Sequence, residues 1–249
     1  MKILLAGDST VANCPTQEYP MSGWGTQLPR HVFGWAAVYN FAKGGASTES
    51  FREEGLWAQL LETAAEGDLV LIQFGHNDQK KVHLAARTGY AANLRTMVAE
   101  VRARGALPVL CTSVERRHFL EGPASGVFLD QSLEDYPEVV REIALELQLP
   151  AVDLNAWTRG LYVQLGVEES QSLFCHFGPG EHAFWPAGLA DNTHFSQRGA
   201  SLVAEEVAAQ LVRLGFGLKQ RGVTSGPILG EHWAESDPAL GLSTTAGRG

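Results

Sequence analysis

The sequence predicts one α/β domain whose parallel sheet is covered by helices on both faces. Short apolar runs alternate with longer segments in which apolar residues recur at helical spacing. Strands separated by helices of that length form right-handed βαβ units, which leave a parallel sheet buried on both sides. A chain of 249 residues, of which 45% are hydrophobic, is long enough to bury one sizeable core.

Five apolar runs are the predicted strands, at residues 3–6, 37–41, 68–74, 107–112 and 151–154. The predicted helices cover residues 51–65, 89–104, 136–147 and 196–214. In the second helix Tyr90, Leu94 and Met97 recur at the spacing of one helical face. Open parallel sheets bind ligands beyond the carboxyl ends of their strands, so we expect a site in the segments that follow the strands.

Residues 113–135 and 170–189 are predicted long loops, rich in Gly, Pro, His and aromatic residues. Loops of that length in a compact domain are usually functional or disordered. Past about Lys219 the chain is poor in large apolar residues, so we predict a principal domain over 1–215 and a tail over 216–249, surface-packed in part or mobile. The apolar residues of the tail that would pack back onto the domain are Ile228, Leu229 and Trp233.

The net charge of the chain disfavours some classes of binding partner. The formal charge is −9 at pH 7, which disfavours nucleic acid or an anionic membrane surface. No apolar run is long enough to span a membrane. A neutral small molecule or polysaccharide is easier to accommodate, and tryptophans either stack on sugar rings or fill the core. The tryptophans considered for stacking are Trp24, Trp57, Trp157 and Trp185.

The three cysteines, Cys14, Cys111 and Cys175, form no Cys-x-x-Cys pair and have no zinc-site spacing. They predict neither a disulfide framework nor a metal site. The first predicted strand starts almost at Met1 and leaves no room for a cleavable apolar leader, so we expect a cytoplasmic, reducing location.

Ser9 follows the first predicted strand in Gly7-Asp8-Ser9. A serine at such a place most often caps a helix, but Asp191 and His194 near the other end supply an acid and an imidazole three residues apart. On one turn of a helix the two would share a face, so the carboxylate would accept from one ring nitrogen and leave the other basic. A hydroxyl becomes a nucleophile when such a base takes its proton, and the three residues occur in a known triad order.

Acyl transfer also needs donors for the oxyanion. Gly44 and Gly45 follow the second predicted strand, where a backbone N–H can approach a ligand without a side chain in the way. Asn77 follows the third predicted strand and carries an amide donor. A Gly-Gly pair is more often a plain turn and Asn-Asp a helix cap, so the joint occurrence of these segments carries the hypothesis.

Four segments resemble, in order and separation, the sequence blocks of the SGNH (GDSL) hydrolases: Gly7-Asp8-Ser9, Gly44-Gly45, Gly75-His76-Asn77-Asp78 and Asp191-Asn192-Thr193-His194. Longer stretches narrow the resemblance to the rhamnogalacturonan acetylesterase-like branch of the carbohydrate esterases. They include Gly23-Trp24-Gly25, Arg116-Arg117 and Asp135-Tyr136-Pro137. The resemblance spans roughly residues 1–215, and one departure is Ala46, where many relatives carry arginine.

This resemblance implies a three-layer α/β/α, flavodoxin-like fold with an open parallel five-stranded sheet and no metal or organic cofactor. Ser9 resembles the nucleophile, and Asp191 and His194 resemble the orienting acid and the base. Gly45 and Asn77 resemble the oxyanion donors beside the Ser9 N–H. The implied activity removes O-acetyl groups from plant-cell-wall sugars through an acetyl-enzyme, with partly degraded pectic oligosaccharides as substrates.

Other interpretations stay open at this point. A lipase- or thioesterase-like hydrolase of longer acyl esters, an acetylxylan esterase and a sugar-binding protein without turnover share the scaffold. Metal hydrolysis would use His76, Asp78, Asp191 and His194, although their spacing matches no metal motif. The candidate substrate contacts are Trp24, Gly44, His76, Arg116, His176 and His182. The sequence does not predict the oligomeric state.

Overall fold

Five parallel strands form the central sheet, in the order β2-β1-β3-β4-β7. The structure is a computed structural model that describes residues 1–122 and 126–217. The sheet strands are β1 (Lys2–Gly7), β2 (Ala37–Asn40), β3 (Leu69–Gln73), β4 (Leu107–Cys111) and β7 (Ala151–Val152). The registers pair Ile3 with both Val38 and Leu69, and Leu69 with Leu107. All five predicted strands are present.

Eight α-helices surround this sheet in the described part of the chain. They are α1 (Trp24–Gln27), α2 (Pro29–Val32), α3 (Thr48–Glu53), α4 (Leu56–Thr63), α5 (Ala91–Ala103), α6 (Tyr136–Glu146), α7 (Leu154–Gln171) and α8 (Gln197–Arg213). Two hairpins add β5 (Phe119–Glu121) with β6 (Val127–Leu129), and β8 (Phe174–Phe177) with β9 (Leu189–Phe195). No helix in these ranges is long and apolar enough to cross a membrane.

Successive residues of each central strand point to opposite faces, and each face has its own core. Ile3 and Leu5 belong to one core, together with buried residues of α1, α7 and α8. Leu4 and Ala6 belong to the other, together with buried residues of α4, α5 and α6. Because both faces are covered, β1 and β3 are buried along almost their whole length, as central parallel strands usually are, whereas the edge strand β2 is partly exposed. The three-layer α/β/α fold with a five-stranded parallel sheet is confirmed.

Several predicted boundaries are wrong. The predicted helix 51–65 is two helices, because Gly55 between α3 and α4 adopts a left-handed φ of 80°. The predicted loop 113–135 contains the hairpin of β5 and β6, the predicted loop 170–189 contains β8 and ends where β9 begins, and α7 was not predicted. Phe216 is buried in the core with α8, so the packed part extends beyond residue 215. The predicted contacts of Ile228, Leu229 and Trp233 lie outside the described residues.

Candidate active site

Ser9 lies in a tight turn at the carboxyl end of β1. The Asp8 carbonyl oxygen accepts from the backbone N–H groups of Val11 and Ala12, at 3.1 and 3.0 Å. The Asp8 carboxylate accepts from the Thr10 N–H at 2.9 Å and from the Thr10 hydroxyl at 2.8 Å. A Cβ at Gly7 would lie 2.6 Å from the Val11 side chain, so the turn closes only over glycine. These contacts hold the backbone of Ser9 on both sides.

Asp191 and His194 lie in an irregular segment of β9, not on the helical turn that the sequence analysis assumed. Phe174 pairs with Phe195 and His176 pairs with Ala190, so two steps along β8 oppose five steps along β9. The extra residues form a bulge, a feature common beside functional sites. Inside the bulge, one Asp191 carboxylate oxygen accepts from the N–H groups of Thr193 and His194, at 2.7 and 2.8 Å. The Asp191 side chain therefore shapes the backbone that carries His194.

The three side chains form a continuous hydrogen-bonded line. His194 Nδ1 lies 2.7 Å from the second carboxylate oxygen of Asp191, and His194 Nε2 lies 2.9 Å from Ser9 Oγ. With Nδ1–H donating to Asp191, Nε2 is left to accept the Ser9 hydroxyl proton. The chain thus places a hydroxyl, an imidazole and a carboxylate in the geometry of nucleophile, base and orienting acid.

Electrostatics around this line favour a charged imidazole. Burial lowers the pKa of His194, but the hydrogen bond and charge of Asp191 outweigh it and leave the pKa above its ordinary value of 6.5. The Asp8 carboxylate adds to this increase. Burial raises the pKa of Asp191, but the His194 ring and the backbone N–H groups of His194 and Thr193 together outweigh burial, so Asp191 stays ionised more readily than a free aspartate.

Gly44, Gly45 and Asn77 approach Ser9 from the ends of β2 and β3. A Cβ built on Gly44 would lie 3.9 Å from Ser9 Cβ, and Gly45 adopts a φ of 78°. Asn77 Nδ2 donates to the Ala46 carbonyl oxygen at 3.0 Å, while Asn77 Oδ1 accepts from Lys80 at 2.9 Å. One amide hydrogen of Asn77 remains for a ligand. Ser9, Gly44, Gly45, Asn77 and His194 line one cleft of about 870 Å³.

His76 lines the same cleft but is 97% buried, and its Nδ1 lies 3.1 Å from the Asp8 carboxylate. Asp78 accepts from the N–H and the hydroxyl of Thr48, at 3.0 and 2.5 Å. Burial raises the pKa of Asp78 to about 6. Among residues 1–122 and 126–217, no three His, Cys, Asp or Glu side chains converge as metal ligands. The four residues of the metal hypothesis are thus divided between different partners.

Sequence reasoning missed the group that holds the β9 bulge. Arg117 is 93% buried and donates from its guanidinium to Asn192 Oδ1 at 2.8 Å and to Ser170 Oγ at 2.9 Å. Its backbone N–H donates to the Asn192 carbonyl oxygen at 2.8 Å. His176 Nε2 also bonds to Asn192 Oδ1, at 3.0 Å. The tandem arginines after β4 are the sequence signal for this anchor, but they do not reveal its partner.

Three predicted substrate contacts are corrected by the structure. Trp24 is fully buried and donates to Gln73 Oε1 at 2.9 Å, so it cannot stack on a sugar. His176 is committed to Asn192, and His182 bonds to the Tyr19 carbonyl oxygen at 2.6 Å. Neither histidine lines the cleft. Of the four tryptophans considered for stacking, Trp185 is the one that lines it.

Comparisons with known proteins agree with this geometry. The family model described as GDSL-like Lipase/Acylhydrolase family matches residues 5–202. The chain is 43% identical over 224 residues to rhamnogalacturonan acetylesterase RhgT of Bacillus subtilis, covering 90% of this chain and 95% of RhgT. It is 33% identical over 226 residues to probable rhamnogalacturonan acetylesterase YesY of the same organism, covering 88% and 95%.

A solved structure shows the same fold. The crystal structure of the YxiM protein of Bacillus subtilis superposes with a TM-score of 0.72 at 26% identity. The superposition covers 86% of this chain and 57% of the YxiM chain. Together with the family match over most of the sequence, it confirms the resemblance drawn from the four sequence blocks. The chain belongs to the GDSL-like lipase/acylhydrolase family.

Proposed function

We propose that this protein is a serine esterase that removes O-acetyl groups from acetylated rhamnogalacturonan and related pectic oligosaccharides. One observation carries the proposal: the unbroken line from Asp191 through His194 to Ser9, with contacts of 2.7 and 2.9 Å. The identity of 43% with RhgT over 90% of the chain supports the substrate class.

The reaction follows from the positions of the protons. Ser9 Oγ attacks the acetyl carbonyl carbon while its proton passes to His194 Nε2, and Asp191 holds the ring in the tautomer that can accept it. The imidazolium returns the proton to the departing sugar oxygen, which leaves an acetyl-enzyme. A water molecule then repeats the two steps and releases acetate.

The oxyanion is held by donors that are otherwise unused. Within the described residues, neither the Ser9 N–H nor the Gly45 N–H donates to another group. The second amide hydrogen of Asn77 is also free, because its first is bonded to the Ala46 carbonyl oxygen. Three fixed donors around one point stabilise the tetrahedral intermediate without reorganisation during the reaction.

The cleft offers polar groups to a sugar beside apolar surface. Charged and amide side chains line part of it together with apolar ones such as Met21 and Leu189, and one aromatic ring stands beside them for stacking. The charged, amide and aromatic lining residues are Asn13, Glu18, Lys43, Asn77, Lys80, Arg116 and Trp185. The 43% identity with rhamnogalacturonan acetylesterase RhgT therefore favours the acetylesterase over a lipase-like hydrolase of longer acyl esters.

Release of acetate tests the proposal, with Ser9→Ala as the blank. The substrates are acetylated rhamnogalacturonan oligosaccharides, acetylated xylan, and aryl esters of acetate and octanoate. We expect Ser9-dependent release from the pectic oligosaccharides and from the aryl acetate. Faster release from xylan or from the octanoyl ester would overturn the substrate and keep the mechanism. Full activity of Ser9→Ala would overturn the mechanism itself.

A further inference from the structure

The cleft carries more positive charge than the rest of the protein leads one to expect. The chain has a net charge of −9, yet three cationic side chains line the cleft: Lys43, Lys80 and Arg116. Lys43 is neutralised by an ion pair with Glu54. Within residues 1–122 and 126–217, neither Lys80 nor Arg116 forms an ion pair with a carboxylate. These two cations are the unusual feature of the site.

Arg116 follows β4 and is fixed by neutral acceptors. One guanidinium nitrogen donates to Gln79 Oε1 at 3.1 Å and to the Ser132 carbonyl and hydroxyl oxygens at 3.2 Å each. A second nitrogen has one long contact of 3.5 Å with the His76 carbonyl oxygen, and Nε donates to no described residue. Burial lowers the pKa of Arg116 and outweighs the opposing charges of Glu115 and Asp8, with neither of which the guanidinium forms an ion pair. The unused N–H groups suit a planar, two-oxygen acceptor.

Neighbouring carboxylates are already occupied by other cations or donors. Glu115 is paired with Arg159 at 3.0 Å, and Asp8 is bonded to His76. Lys80 contacts Asn77 Oδ1, a neutral amide oxygen. A half-buried arginine usually pairs with a carboxylate of its own chain. Among the described residues, Arg116 has no such partner.

Charge in the cleft is divided between two sides. Lys80 and Arg116 follow β3 and β4, on the side of Asn77. Glu18 lines the cleft near His194, and its charge contributes to the raised pKa of that histidine. A ligand with one negative group has only one favourable orientation in such a field.

We propose that Lys80 and Arg116 form a carboxylate-binding subsite beside Ser9, which selects acetyl esters on sugar chains that carry a uronate next to the acetylated position. This inference rests on the proposed esterase function. Arg116 binds the carboxylate through paired N–H donors, and Lys80 adds a second positive charge while it holds the Asn77 amide. The subsite thus couples recognition of the acid group to placement of the ester carbonyl near the oxyanion donors.

The test compares acetylated pectic oligosaccharides with the same oligosaccharides after carboxyl reduction, which turns each uronate into a neutral sugar. The measured quantity is the ratio of kcat/KM for the acidic and neutral substrates. Charge-assisted hydrogen bonds predict a ratio of roughly tenfold or more for the wild type. Lys80→Gln and Arg116→Gln lower it towards one, and Arg116→Lys gives an intermediate value. Lys43→Gln is the matched control and keeps the ratio, because Glu54 already neutralises Lys43.

Equal rates on both substrates in the wild type would overturn the subsite and leave the esterase function intact. A ratio that falls as far in Lys43→Gln as in Lys80→Gln would also overturn it, since that result indicates diffuse attraction. If Arg116→Gln fails to fold, as judged by circular dichroism, the kcat/KM ratio of Lys80→Gln alone tests the subsite, because Lys80 is exposed. Absence of Ser9-dependent release from both substrates overturns the proposed function. The subsite is then measured as selective inhibition of aryl acetate hydrolysis by the deacetylated acidic oligosaccharide, and equal inhibition by its reduced form overturns it.

Discussion

Replacing Asn192 by alanine tests whether the anchored bulge of β9 is what keeps His194 against Ser9. Asn192 lies between the acid and the base, and its Oδ1 accepts from Arg117 at 2.8 Å and from His176 Nε2 at 3.0 Å. Alanine removes both contacts but keeps the backbone bond from the Arg117 N–H to the Asn192 carbonyl oxygen. The bulge then has one anchor where it had three.

The expected magnitude follows from these contacts. A hydrogen bond to a charged group contributes roughly 1.5–3 kcal/mol and a neutral one about 1 kcal/mol, so the free energy of unfolding falls by roughly 2–4 kcal/mol. For a domain of this size that lowers Tm by roughly 4–16 °C. A displacement of the base by about 1 Å costs on the order of 10²-fold in rate. We therefore expect kcat to fall by roughly 10- to 100-fold with little change in KM.

The assay measures kcat and KM on an aryl acetate well below Tm, together with thermal unfolding. Gln210→Ala is the matched control, because Gln210 is also half-buried and makes two side-chain hydrogen bonds, with Asp153 at 3.0 Å and Glu206 at 2.8 Å. It should lose stability and keep kcat. A wild-type kcat in Asn192→Ala, at a lowered Tm, would refute the anchoring argument and assign the position of His194 to Asp191 alone.

Three further variants probe the catalytic line and the oxyanion donors. Asn77→Ala should lower kcat by roughly 10²- to 10³-fold with the fold intact, measured on the aryl acetate. Gly45→Ala has room for its Cβ but must hold a φ of 78°, so we expect a loss of about 1–2 kcal/mol in stability and a reduced kcat as the N–H turns away. The acid limb of kcat/KM should lie above the ordinary imidazole value of 6.5, because the base must be neutral and the pKa of His194 is raised. In Asp191→Asn that limb should move to lower pH, and an unchanged limb would contradict the assignment of His194.

The strands and the position of the site could be predicted from the sequence because both depend on short, contiguous segments. A strand buried on both faces must be an apolar run, and the segments that follow such runs in a parallel sheet meet at one edge. Ser9 and Asn77 follow the buried runs of β1 and β3, and Gly45 follows β2, the partly exposed strand at the edge of the sheet. Their common position at one end of the sheet therefore follows from the sequence without any knowledge of contacts. The cytoplasmic location and the oligomeric state are not tested by the fold, and the former stays a prediction.

Helix α7 was missed because its buried face is partly polar. Asn155 and Thr158 are buried, held by Glu115 and by the helix backbone, and they lie within an apolar stripe formed by Leu154, Trp157, Leu161, Tyr162 and Leu165. Gly166, with a φ of 70°, interrupts the helix as well. Buried polar residues and a glycine within the apolar stripe weaken its periodic signal, which is why the helix was not predicted although it buries hydrocarbon.

The pairing of Asp191 with His194 was predicted on a wrong local structure. Their spacing predicts one helical turn, whereas in the structure the carboxylate of Asp191 accepts from the backbone N–H groups of Thr193 and His194 in an irregular strand. A helical turn and this irregular strand both bring positions i and i+3 together. The short spacing therefore predicted the contact between the two side chains correctly, although the predicted backbone conformation was wrong. Trp24 shows the converse, because residue type alone does not distinguish a buried ring from an exposed one.

Three aspartates at this sheet edge have pKa values shifted in different directions because their surroundings differ. Asp8 is fully buried, which raises its pKa, but His76 and Thr10 outweigh the burial and keep the carboxylate ionised. Burial, and in part the charge of Asp8, raises the pKa of Asp78 to about 6. The carboxyl group of Asp78 therefore ionises only as the pH approaches neutrality. Asp8 and Asp191 both raise the pKa of His194. Since the base becomes an imidazolium as Ser9 attacks, these fixed negative charges stabilise the charge that forms. Stabilisation of the imidazolium is therefore shared between the bulge of β9 and the turn after β1.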